Sequence, residues 1–220
     1  MIVAVAGGKG GVGKSTMALN LGAELDAVVV DADLAMADLP AGRGPDLHDV
    51  LAGRAEPVEA VQQVGPVALL PCGRTLAGAR ACDLTEFEST LAAVAAEHER
   101  VVVDCPAGLA ADVGLSLVAA DACVLVTTPR RFALADAVRT RALARRFDAG
   151  LACVGLNRVG DDPPTASVRR TLGAPVVPVP ESGTVARAQR SGRPVASLAP
   201  ESTAAERFGE LARTVQSCRS

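Results

Sequence analysis

Both lysines of this chain fall within one eight-residue stretch, against twenty arginines elsewhere. Coding bias explains an arginine excess but not why lysine survives only there. A position that resists arginine needs a compact charge on a flexible stem, because the guanidinium fork is wider and planar. The stretch reads Gly8-Lys9-Gly10-Gly11-Val12-Gly13-Lys14-Ser15 and satisfies G-x-x-x-x-G-K-[ST]. Its glycines permit positive φ and close backbone approach, so that successive N–H groups point at one phosphate. The helix that follows adds the positive end of its dipole. In such a loop Lys14 bridges β- and γ-phosphates, the Ser15 hydroxyl ligates Mg²⁺ and Thr16 touches the α-phosphate. The ligand expected from this spacing is a nucleoside triphosphate with magnesium.

Two acidic segments complete a phosphate site. An apolar run ends in Asp31-Ala32-Asp33, and a second, Val101-Val102-Val103, ends in Asp104. Carboxylates at the carboxyl ends of parallel strands face the ligand crevice. There they hold Mg²⁺ directly or through water and orient an attacking water. Asp33 also reads as a turn-forming residue after a strand. Asn157, at the end of the run Leu151–Leu156, carries an amide that can both donate to and accept from a purine edge. An Asn there can equally bond its own backbone.

The elements that must position these residues are legible as short apolar runs separated by helix-length segments. Strands are expected at Ile2–Ala6, Ala27–Val30, Val67–Leu70, Val101–Val103, Ala122–Val126, Leu151–Leu156 and Pro175–Val179. Unbroken apolar runs of this length suit a parallel sheet buried on both faces. Helices are expected at Lys14–Leu25, Leu84–Glu97 with Asp83 and Glu86 as a capping box, Ala133–Phe147 and Ser202–Ser217. The alternation gives an α/β fold, a doubly wound, mostly parallel sheet flanked by helices. No linker divides the chain, so residues 1–220 read as a single domain, with surface loops at 40–45 and 160–164.

Composition excludes several classes. Of 220 residues, 49% are apolar, enough for a buried core, and the net charge of −3 announces no polyanionic partner. Four Phe with no Trp or Tyr cannot furnish the stacking platforms of single-strand nucleic-acid folds. No apolar run approaches the roughly 18 residues of a membrane span. The opening MIVAVAGGKGG lacks the pattern of a signal peptide, so a cytoplasmic location is expected. Six cysteines without a C-x-x-C pair argue against zinc ribbons and thioredoxin-type motifs. Cys123 and Cys153 lie inside apolar runs and read as core, while Cys105 reads as a small packing residue or a redox-sensitive one.

Lys9-Gly-Gly-Val-Gly-Lys14-Ser-Thr resembles the deviant Walker A motif of the MinD/ParA family of P-loop ATPases. The resemblance implies ATP-dependent homodimerisation, with Lys9 reaching the other subunit's nucleotide. Asp31-Ala-Asp33-Leu-Ala-Met-Ala-Asp38-Leu resembles the family's first switch, in which Asp33 is the residue needed for hydrolysis. Asp38 stands where the pattern has Asn, so no role is carried over to it. Asp104-Cys105-Pro106-Ala107-Gly108 resembles the second switch, D-x-P-A-G, which implies that Asp104 reaches Mg²⁺ through a water. Asn157-Arg158 resembles the family's adenine-reading N-R pair, and Val179-Pro180-Glu181 its base-flanking loop. Val50–Gly53, Leu70–Gly73 and Ser191–Pro194 resemble the archaeal MinD-like branch, so the likeness extends over most of the chain.

What the resemblance implies is an ATPase switch in spatial regulation, such as division-site placement or chromosome, plasmid or cargo partitioning, acting with an unidentified protein partner or activator. A different class on the same scaffold is a dethiobiotin-synthetase-like ligase, which transfers phosphoryl to a metabolite. A third is an iron–sulfur carrier, which needs cysteines placed to share a cluster. Arg130–Arg146 holds six arginines against one carboxylate, and is either an anionic-surface footprint for DNA or lipid headgroups or a solvated helix face. The first of these would place the protein peripherally on the membrane's inner face or on the nucleoid. In the last helix, Phe208, Leu211 and Val215 form a thin stripe better suited to packing on the domain's own sheet than to lipid.

Overall fold

The computed structural model describes all residues except 9, 35–38, 41, 109–110 and 219–220, and for 111 and 112 the backbone alone. In chain order the strands are β1 (Ile2–Ala6), β2 (Val28–Asp31), β3 (Gln62–Val64), β4 (Val67–Leu70), β5 (Val101–Asp104), β6 (Ala122–Thr127), β7 (Gly150–Val159) and β8 (Val176–Pro180). The helices are α1 (Lys14–Leu25), α2 (Leu47–Leu51), α3 (Leu76–Ala81), α4 (Phe87–His98), α5 (Ala111–Val118), α6 (Arg131–Arg146), α7 (Thr165–Leu172), α8 (Gly183–Arg190) and α9 (Thr203–Ser217). The strands form one sheet in the order β3-β4-β2-β5-β1-β6-β7-β8. Every pairing is parallel except that of β3 with β4, which closes a hairpin over Gly65 and Pro66.

Strand alternation explains why these runs are apolar throughout. Val3 and Val5 of β1 enter the core beneath α1 and α9, while Ala4 and Ala6 enter the core on the opposite face with Phe87, Leu91 and Val94 of α4. Val29 and Val102 join the first core, and Val28, Val30, Val101 and Val103 the second. Helices on both faces leave no solvated side to the central strands. The stripe on α9 is fully committed: Phe208, Leu211 and Val215 are buried in the first core, which removes the lipid-facing alternative for them. No helix among the described residues is long and apolar enough to cross a membrane.

Several boundaries depart from the expected ones. β3 was not expected, because Gln62-Gln63-Val64 is polar, as suits an edge strand. The segment from Leu84 does not open as an α-helix. A 3₁₀ turn, Leu84–Glu86, precedes α4, and Asp83 accepts from Thr85 N rather than from Glu86 N. The expected Asp83–Glu86 capping box is therefore not made, since the tighter turn shifts the reachable donor, and Glu86 accepts from Ser89 Oγ instead. A capping box does occur where none was expected, with Asp46 and Asp49 at the start of α2.

Candidate functional site

The carboxyl ends of β1, β2, β5 and β7 meet in a cleft of about 740 Å³, within the range of small-molecule sites. Its floor is the loop between β1 and α1. Gly13 sits at φ 99 immediately before α1, and a Cβ there would collide with the Asn157 amide. Glycine is thus required by conformation and by space. Lys14, Ser15 and Thr16 open the helix and line the cleft with Gly10, Gly11 and Gly13. Lys14 is only 8% exposed and has no salt-bridge partner among the described residues. A buried ammonium without a direct salt bridge gains from an anion that reaches it. The first turn of α1 holds no acidic side chain to supply one.

Two of the residues expected to touch the ligand are also constrained from behind the loop. Gly8 is not in the cleft wall; it is pressed against α6, where a Cβ would lie 2.6 Å from the Asp136 carbonyl. Val12 turns its side chain into the core, and its carbonyl accepts from Asn157 Nδ2 at 2.9 Å. Their types are set by packing behind the loop. Lys9 and Asp38 lie outside the described residues.

The carboxylates divide by function. Asp31 and Asp104 stand side by side at the ends of β2 and β5 in register. Asp31 is fully buried, and its carboxylate accepts from Asp33 N and Leu39 N, each at 3.2 Å, holding the start of its own loop. Asp33 and Asp104 line the cleft beside Ser15. A hydroxyl and two carboxylates offer hard oxygen donors, the donor class that Mg²⁺ takes when it also keeps waters and phosphate oxygens. Gly108, at φ 96 with open space around it, lies in the loop after β5 in a conformation only glycine adopts cheaply.

The opposite wall comes from β7, β8 and α8. Asn157 is buried, with its Nδ2 on the phosphate loop and its Oδ1 accepting from Arg158 N at 3.0 Å. It lines the cleft and also stitches β7 to the loop, so part of its polarity serves the fold. Pro180 is in the wall as expected. Sequence reasoning did not single out Ser182, Val185, Ala186 or Gln189, which complete it. They lie more than 160 residues from the phosphate loop and carry no motif of their own. Thr16 Oγ1 donates to Gln189 Oε1, so the hydroxyl expected at the α-phosphate is held by α8 in this structure. A second recess of about 450 Å³ adjoins the cleft through Gly10, Gly11, Arg158 and Glu181 and runs to Phe132, which is 81% exposed.

Cys105 is buried beside Asp104, and burial pushes its thiol far above the ordinary range. Its burial favours the packing reading, because the nucleophilic species is the thiolate. Cys123 and Cys153 are core residues as expected. On α6 the arginines are partly engaged: Arg139 pairs with Asp136 at 2.9 Å and Arg141 donates to the Thr171 carbonyl at 3.3 Å.

A family model described as the CobQ/CobB/MinD/ParA nucleotide binding domain matches residues 3–195. The chain is 32% identical over 226 residues to an uncharacterized ATP-binding protein of Methanocaldococcus jannaschii, covering 96% of this chain and 85% of that one. The crystal structure of the Pyrococcus furiosus cell division ATPase MinD superposes with a TM-score of 0.92 at 27% identity, over 99% of this chain and 98% of that one. The septum site-determining protein MinD of Pyrococcus horikoshii, complexed with Mg-ADP, also gives 0.92 at 26% identity, over 100% and 97% of the two chains. Motif, cleft and family model agree: this chain belongs to the CobQ/CobB/MinD/ParA nucleotide-binding family.

Proposed function

We propose that this protein is an ATPase acting as a molecular switch, a single domain that closes on ATP–Mg²⁺ as a homodimer and reopens after hydrolysis. The observation that carries the reading is Lys14, buried and without a salt-bridge partner among the described residues, at the head of a glycine-lined cleft that also holds Ser15, Asp33 and Asp104. Lys14 and the loop N–H groups bind the β- and γ-phosphates. Ser15 and Asp104 would hold Mg²⁺, which would supply positive charge to the phosphates. Asp33 accepts from the attacking water and aims it at the γ-phosphorus. The bond from that phosphorus to the β–γ bridging oxygen breaks, leaving ADP and inorganic phosphate. Asn157 and Pro180 flank the adenine.

Dimerisation is supported by the open side of the site. Gly10 and Gly11 are exposed, and Phe132 stands bare beside them. A second subunit covering this face excludes water, and Lys9 is the residue the family resemblance sends across. The biological setting proposed is spatial organisation in the cytoplasm with a protein activator, peripheral to membrane or nucleoid if the α6 arginines meet an anionic surface.

The test is phosphate release from ATP–Mg²⁺ with nucleotide affinity measured in parallel. Lys14→Ala abolishes both, and Asp33→Ala abolishes release while retaining binding. ATP binding unaffected by Lys14→Ala refutes the reading.

A further inference from the structure

Outside the cleft, one side chain is built into the fold in a way that packing does not require. His48 on α2 is 3% exposed, and its Nε2 lies 3.1 Å from the Leu34 carbonyl. A carbonyl only accepts, so Nε2 donates to it, and Cys72 Sγ lies 3.5 Å from the same nitrogen. Nδ1 is buried without a hydrogen-bond partner among the described residues. The ring lies in a slot with glycine at two of its walls. A Cβ on Gly73 would overlap the imidazole, and one on Gly78 would lie 2.7 Å from Nδ1. Burying an imidazole and leaving one nitrogen unsatisfied is unfavourable where an apolar side chain would fill the same space.

The partner of the satisfied nitrogen explains the arrangement. Leu34 follows Asp33, so its carbonyl lies one residue beyond the carboxylate proposed to aim the water. Upstream, Asp31 ties the same loop through Asp33 N. The helix bearing His48 is itself fixed: the Asp46–Asp49 box closes its start, and Leu47 N donates to the Pro71 carbonyl at 2.9 Å at the end of β4. Asp33 is therefore held from both sides, by Asp31 on the sheet and by His48 on a clamped helix.

We propose that His48 is a positioning residue for hydrolysis, tethering the Leu34 carbonyl so that the Asp33 carboxylate is held facing the γ-phosphate. The inference rests on the ATPase reading above. It acts on the chemical step and not on nucleotide affinity, since His48 does not line the cleft. The worth of one such hydrogen bond corresponds to about a tenfold change in rate.

The test compares His48→Leu with His48→Gln, whose Nε2 can take the place of the imidazole Nε2–H. His48→Leu is expected to lower kcat about tenfold with KM for ATP unchanged, and His48→Gln to restore most of it. An unchanged kcat in His48→Leu, or an equal loss in both variants, overturns the proposal, the second outcome marking a packing role. Hydrogen exchange of the peptide spanning residues 32–39 gives a readout independent of turnover: faster in His48→Leu and restored in His48→Gln. Equal exchange in all three proteins overturns the tether. Should the unmodified protein bind ATP and leave it intact, the ATPase reading fails by itself, and the exchange measurement alone decides the tether.

Discussion

Removing the charge of Lys14 should make the nucleotide-free protein more stable while destroying its response to ATP. The side chain is 8% exposed, and no carboxylate among the described residues forms a salt bridge with it. A long apolar residue of similar shape keeps the stem's packing and omits the buried charge. Replacing buried charges by apolar groups gains about 1–4 kcal/mol. Lys14 keeps some contact with the cleft, so the lower end applies, and Lys14→Met is expected to gain about 1–2 kcal/mol. In a protein of this size that raises the melting temperature by about 2–8 °C. The assay is urea unfolding with and without ATP–Mg²⁺. At a hundred times Kd, ATP should add about 2.7 kcal/mol to the unmodified protein and nothing to the variant. A nucleotide-free Lys14→Met that is less stable by more than about 1 kcal/mol would falsify the reasoning, because the ammonium would then be satisfied without a ligand.

Other outcomes follow from the same geometry. Gly13→Ala should cost about 2–3 kcal/mol from its positive φ and the collision with Asn157, and the double variant with Asn157→Ala less than the sum; urea unfolding reads both, and additivity within about 0.5 kcal/mol refutes the contact. Asp31→Ala should cost about 2–4 kcal/mol by stranding the N–H groups of Asp33 and Leu39; urea unfolding reads it, and a loss under about 0.5 kcal/mol refutes the anchor. Cys105, Cys123 and Cys153 should resist a thiol reagent at pH 8 until urea is added, because burial pushes Cys123 up to about 12 and the other two higher; thiol counting by absorbance checks it. The Thr85 hydrogen bonds hold the Asp83 carboxyl below its ordinary value. Its contribution is present above the unfolded carboxylate range and is lost as pH falls through the lowered folded value. Asp83→Ala should therefore flatten the acid limb of a pH–stability curve, and an identical limb in both proteins refutes the cap.

The parts of the molecule closest to phosphate chemistry were the most legible. Glycine, lysine and serine at fixed spacing are dictated by the ligand, so the loop could be read without its neighbours. Buried parallel strands were equally plain, since both faces demand apolar residues and the runs carry no competing period. Gly8 is constrained from behind by the Asp136 carbonyl of α6, which in sequence looks the same as a constraint imposed by a phosphate. Gln189 and Ser182 were missed because the chain returns to the cleft after a long detour, and only tertiary structure brings α8 opposite Thr16. The polar edge strand β3 and short helices such as α2 have too few residues for a period to emerge. His48 is legible only through the Leu34 carbonyl and the glycines that make room for its ring.

The central claim is a nucleotide-controlled change of state, and absolute mass by light scattering tests it most directly. The sample is Asp33→Ala, which should bind ATP without consuming it, measured with ATP–Mg²⁺ and with ADP–Mg²⁺. The account predicts twice the 22.3 kDa chain mass with ATP only, returning to a single chain when Lys9→Ala is added. A single-chain mass in both nucleotides, with ATP binding confirmed, would contradict it.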